Sequence, residues 1–146
     1  MGSLRKFLES NNFTRVKLKK INTNHFEIVV NVNGVKGRFI LDTGASNSCI
    51  AMESVSHFKL ITTPSEIKAA GAGAVDMETL ISEKNAIAIE SWKKKNINFV
   101  VFDMSHVNEA LHIAEEASVH GIIGADILKA ARAVIDYGRN CVYLKK

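Results

Sequence analysis

Phe39-Ile40-Leu41-Asp42-Thr43-Gly44-Ala45-Ser46 is the stretch from which the fold is read. Three apolar residues in a row make a strand, and the strand ends in a carboxylate followed at once by a polar turn. Burial of the strand limits the water around Asp42. A turn at Gly44 would fold the backbone N–H of Gly44 or Ala45 back toward the carboxylate, leaving the Thr43 hydroxyl for structural bonds. An aspartate that merely caps a turn would read the same way. A second segment shifts the balance: Gly121-Ile122-Ile123-Gly124-Ala125-Asp126-Ile127-Leu128, an apolar strand closed by glycine and running straight into a helix. Asp126 falls near the start of that helix, where the helix dipole favours a carboxylate.

Working outward, Leu4, Phe7 and Leu8 fall on one side of a short helix ended by Ser10, Asn11 and Asn12, so residues 1–14 form a helical extension. Residues 15–21 alternate apolar and basic side chains, as a strand with one wet face does. The strand 26–32 runs into Asn33-Gly34, a pair suited to a tight hairpin turn because both central residues need positive φ. Residues 37–42 return as its partner. Residues 48–52 read as a further strand and 53–60 as a single helical turn. Residues 68–75, with Gly71 and Gly73 among small neighbours, are too glycine-rich for a helix interior and read as a hairpin tip or loop. Strands are expected over 77–82, 85–91 and 96–104, a helix over 105–117, and a closing hairpin around Gly138-Arg139-Asn140. Many short strands with a few short helices predict one mostly-β domain over residues 1–146, a barrel or sandwich.

A chain of 146 residues can bury a real core but is too short for two lobes. Any site needing two copies of one structural half must take the second from another chain. The net charge of +4 is concentrated in Lys17-Lys19-Lys20 and Lys93-Lys94-Lys95. No aromatic residues interleave with these lysines as a nucleic-acid stacking platform requires. They read as a solvated strand edge and a solvated turn, with no nucleic-acid partner. Charges interrupt every apolar run, so no membrane partner is expected. Cys49 and Cys141 are too far apart in sequence for a metal-site spacing and read as buried thiols in a reducing, cytoplasmic setting. The five histidines, at 25, 57, 106, 112 and 120, have no metal-ligand spacing, and no Gly-x-Ser-x-Gly marks a serine hydrolase. Met52, Met77 and Met104 read as core filler, and Trp92 as a partly buried barrel aromatic.

Taken together, Ile40-Leu41-Asp42-Thr43-Gly44-Ala45-Ser46, the glycine-rich stretch and then Ile122-Ile123-Gly124 before a helix resemble the retropepsin-like aspartic proteases, over about residues 26–144. The likeness is greater to bacterial single-domain members than to viral ones, since Gly124-Ala125-Asp126 replaces the viral Gly-Arg-Asn/Asp. The resemblance implies a closed β-barrel of the acid-protease fold and an aspartic endopeptidase. It implies Asp42 as the catalytic carboxylate, supported by Thr43, Gly44, Ala45, Ile123 and Gly124. It puts the tip of a substrate-covering flap at Gly71, Ala72 and Gly73, although no aromatic lies between Ile61 and Ile89 to match the pepsin-type tyrosine. The family's chemistry uses two carboxylates that share one proton and needs neither metal nor cofactor. This chain holds a single Asp-Thr-Gly. Asp126 matches a structural helix position, and Asp136 lacks the glycine turn. The resemblance therefore implies a homodimer with Asp42 from each copy, acting on a peptide or protein. Residues 4–8 and 141–144 are interface candidates by analogy. The alternative is a non-catalytic module of the same fold that grips extended peptides by strand addition.

Overall fold

The computed structural model describes residues 2–69 and 77–146 and begins with helix α1 (Leu4–Ser10). The Ser3 hydroxyl caps it by accepting the Lys6 N–H. Leu8 buries against Cys141 and Tyr143, while Leu4 and Phe7 stay exposed. The single strand expected over 15–21 is two, β1 (Phe13–Lys17) and β2 (Lys19–Lys20), in different sheets. The break falls at Leu18, whose N–H donates to the Asn140 carbonyl. Then come β3 (Phe26–Val32), β4 (Val35–Leu41), β5 (Cys49–Ala51), β6 (Thr63–Ala69), β7 (Met77–Ile89) and β8 (Trp92–Phe102). Helix α2 (Ser105–Ile113), β9 (Gly121–Ile123), α3 (Ala125–Ala130), β10 (Val134–Asp136) and β11 (Cys141–Lys145) complete the chain.

The large sheet runs β2-β3-β4-β9-β5-β8-β7-β6, and an extra pairing of β3 with β7 closes six of these strands into a barrel. The resulting fold is the mostly-β closed barrel expected from the sequence. Both faces of the central strands are covered, which is why they read as near-continuous apolar runs. Phe39, Ile50, Phe99, Val101 and Ile123 point into the barrel and are fully buried. Their neighbours Ile40, Cys49, Val100 and Ile122 point the other way and pack with Leu111 of α2, Phe102 and Met104. Among the described residues, no helix is long and apolar enough to cross a membrane.

β11 lies between β1 and β10 in a small second sheet, and Cys141, Val142, Tyr143 and Leu144 are buried there. Residues 141–144, named above as interface candidates, pair with β1 along one edge, and residues 141–143 pair with β10 along the other. Trp92 is fully rather than partly buried, and Met52 is exposed rather than core. Lys93, Lys94 and Lys95 lie exposed at the start of β8, not in a turn.

Closure of the barrel depends on the Asn33-Gly34 turn. Both residues take the expected positive φ, 52° and 82°. The Asn33 side chain then reaches across to β7: its Oδ1 accepts the Ala86 N–H at 3.1 Å, and its Nδ2 donates to Asn85 Oδ1 at 2.9 Å. Asn85 is buried, and its own Nδ2 donates to the Ile97 and Ser82 carbonyls. This network explains why 77–82 and 85–91, expected as two strands, form one. Lys84 takes a positive φ of 60° and the register shifts on either side of Asn85. Glu83 and Lys84, which separate the two expected strands, form a bulge that the Asn85 amide stitches into the sheet.

β6 carries no apolar alternation. It is the outer strand of the sheet, where Pro64 costs no ladder bond. Gly71, Ala72 and Gly73, the expected flap tip, lie outside the described residues.

Two histidines meet where the loop after β5 crosses β9. The rings of His57 and His120 stack 4.6 Å apart and 7° from parallel. The Arg38 N–H donates to His120 Nδ1 at 3.0 Å. Burial, then the charges of His57 and Arg38, hold His120 below the ordinary histidine value of 6.5, against a smaller opposing pull from Glu53.

Replacing Asn85 with Ala takes the side-chain donor from the buried Ile97 and Ser82 carbonyls and one acceptor from the exposed Asn33 amide, which keeps the Phe58 carbonyl. The expected cost is about 2–4 kcal/mol, read from the urea unfolding midpoint at unchanged m-value. The histidine stack gives a second expectation. Because His120 is lowered on folding, the unfolded chain takes up the proton first as pH falls. Its contribution is intact above about 6.5 and is lost as pH drops through the window below that value. The melting temperature should fall between about pH 7 and about pH 5, and His57→Asn should shrink that fall.

Candidate active site

Asp42 lies one residue beyond β4, and Gly124 one residue beyond β9. The two strands are parallel with Leu41 beside Ile123, so both chains turn off at the same end of the barrel. The Asp42 N–H donates to the Ile123 carbonyl at 2.9 Å. The loop then folds back on itself. The Ala45 N–H reaches the Asp42 carbonyl at 3.2 Å, and the Gly44 N–H donates to Asp42 Oδ1 at 2.9 Å. The second bond is the one expected from the sequence, but Gly44 does not reach it through a positive φ. Its contribution is room, since a Cβ there would stand 3.3 Å from Asp42 Oδ1. Asp42 is half-buried, and Thr43, Gly44 and Ser46 are exposed. The Thr43 hydroxyl has no partner among the described residues.

A second set of bonds ties this loop to the start of α3. The Ala125 N–H donates to the Ala45 carbonyl at 2.7 Å. Ser48, fully buried, accepts the Gly124 N–H at 2.8 Å and donates its hydroxyl to Asp126 Oδ1 at 2.7 Å. Asp126 also accepts the Ser48 and Ile127 N–H groups. Gly124 must be glycine here, because a Cβ would sit 2.5 Å from the Ala45 carbonyl oxygen. Asp126 is thus a structural lock, in agreement with its position after the glycine. Ser48 was not picked out from the sequence; a serine opening the otherwise apolar run Cys49-Ile50-Ala51 was the available signal.

The carboxylate of Asp42 opens on a cavity of about 270 Å3 with Ile40 and Ile122 on its floor and α2 on one wall. Among the described residues, Asp42 is the only carboxylate lining it. Asp136, the other sequence candidate, accepts the Arg139 N–H and pairs with its guanidinium. No group of three or more His, Cys, Asp and Glu side chains among the described residues could hold a metal ion. Cys49 lies nearby, but burial, then Asp126 and Asp42, push its thiol up to about 12, which makes it inert as a nucleophile at neutral pH. Among the described residues, the geometry therefore offers a positioned carboxylate that could act as a base, and no activated side-chain nucleophile. It brings together Asp42, Thr43, Gly44, Ala45, Ile123 and Gly124. Two cavity residues, His25 and His106, were not singled out in the sequence, which offers the histidines neither metal-ligand spacing nor a serine- or cysteine-hydrolase context.

The family model for aspartyl proteases matches residues 28–127. In structure the chain is similar to a retropepsin-like aspartic protease from Rickettsia conorii, at 20% identity and TM-score 0.59, over 90% of this chain and 91% of that one. It is similar to the EIAV protease complexed with the inhibitor HBY-793, at 21% identity and TM-score 0.56, over 75% and 89%. The retroviral protease-like domain of Ddi1 from Leishmania major matches at 17% identity and TM-score 0.55, over 81% and 86%. At these identities the likeness is one of fold. No curated protein matches the chain in sequence.

Ser48→Ala leaves the Gly124 N–H without an acceptor and removes a hydroxyl donor from the Asp126 carboxylate. The expected loss is about 2–4 kcal/mol in urea unfolding, far more than a surface Ser→Ala change.

Proposed function

The chain belongs to the aspartyl protease family, and from that premise we propose that it is an aspartic endopeptidase whose active form is a homodimer. One observation carries the reading: a carboxylate held by its own loop amide, half-buried at the mouth of a cavity in which the described residues place no second carboxylate. Two such groups brought side by side cannot both ionise, so they share one proton. A second copy of Asp42, related by a two-fold axis, supplies the missing partner. The charged carboxylate takes a proton from water, and the protonated one donates to the scissile carbonyl as the water attacks. Asp42 is the catalytic residue in this proposal. Thr43, Gly44 and Ala45 shape its loop, and Ile123 and Gly124 hold that loop against the barrel. Gly71, Ala72 and Gly73 are proposed as the covering flap, and the substrate is an extended peptide or protein. The two free, buried cysteines suit a reducing compartment, and the cytoplasm is proposed as the site of action.

Asp42→Asn keeps the side-chain shape but cannot accept the proton from water. Cleavage of a peptide library should fall by at least ~10²–10⁴ with the melting temperature retained. Sedimentation should show the parent as a dimer, at least with a peptide-like inhibitor bound. An Asn variant as active as the parent, or a monomer that cleaves, would overturn the proposal.

A further inference from the structure

The cavity beside Asp42 is lined on one side by Ile40, Ile122 and Leu111, with Val107 and Ala110 of α2. At about 270 Å3 it lies below the usual range for a whole small-molecule ligand and matches one large side chain. Its other side is polar: Thr23, His25 and His106 join Asp42 there. His25 is exposed, its Nδ1 lies 2.8 Å from Thr23 Oγ1, which fixes the ring, and its Nε2 has no hydrogen bond among the described residues. His106 is exposed, at the start of α2. An apolar floor with imidazoles along its edge calls for a side chain with an apolar body and a hydrogen-bonding tip.

We infer that His25 and His106 determine specificity by selecting tyrosine at a residue flanking the scissile bond. This rests on the endopeptidase reading above. The phenol ring covers the isoleucine floor, and its hydroxyl both donates and accepts, so it suits a neutral imidazole in either tautomer. A phenylalanine fills the same floor but forms no bond to the imidazoles, which are exposed and stay with water. A glutamate would bring a second charge toward Asp42 from the substrate side. A lysine would pair with the Asp42 carboxylate and take it out of the reaction.

The test uses matched peptides that differ only in Tyr, Phe or Leu at that position, cleaved by the parent and by the double variant His25→Leu/His106→Leu. The ratio of kcat/KM for Tyr over Phe does not depend on the fraction of enzyme that is folded or dimeric. In the parent it should be about five- to tenfold, the worth of one hydrogen bond, and in the double variant about one. Thr23→Val, which frees the His25 ring, should give an intermediate ratio. Cleavage with no Tyr preference in the parent, or a ratio unchanged in the double variant, overturns this inference and leaves the endopeptidase reading standing. A parent that cleaves none of the peptides overturns both.

Discussion

The parallel pairing of β4 with β9 is the constraint from which the rest of the site follows. It is a short ladder of three residue pairs, Phe39 with Gly121 through Leu41 with Ile123. Yet it carries the chain from Asp42 and the chain from Gly124 out of the barrel at one end and one height. From that shared exit come the Asp42 to Ile123 bond, the Ala125 to Ala45 bond, and the Ser48–Asp126 lock between them. A carboxylate at the end of an isolated strand would swing. This one is held by bonds to its own loop and by a loop braced on a second strand and a helix.

The two-sided burial of the central strands links the fold to the proposed site. Because side chains alternate across a strand, Phe39, Leu41 and Ile123 build the barrel interior, while Ile40 and Ile122 are turned outward under α2. The same outward residues form the floor of the cavity next to Asp42. The cavity wall beside Asp42 is thus the back of the structural core. Substitutions at Ile40 or Ile122 act on packing and on the site together, whereas His25 and His106 at the rim can vary without disturbing the barrel.

Local chemistry was legible in the sequence and distant chemistry was not. The Asn33-Gly34 turn, the apolar run into Asp42 and the Ile122-Ile123-Gly124 strand each show in a few adjacent residues, through turn preference and side-chain period. β6 escaped because an edge strand needs neither apolar alternation nor freedom from proline. The continuity of β7 escaped because Asn85 completes its bonds with Asn33 and Ile97, which no local window contains. The Ser48–Asp126 lock spans 78 residues of sequence. The histidines at 25 and 106 looked like unrelated single residues until β3, α2 and β4 were placed side by side.

The long reach of these pairings also sets the order in which a growing chain acquires its parts. The β3–β4 hairpin can form as soon as it is synthesised, since its partners are neighbours. Asp42, by contrast, waits for Ile123, and β1 waits for β11, whose first and last residues pair as Phe13 with Lys145. A nascent chain made from its N-terminus therefore carries an unbraced aspartate until Ile123 has been made. The loop gains its outside supports only when β9 and the start of α3 have emerged, so a chain cut short before β9 retains the Asp-Thr-Gly motif but lacks the means to aim it.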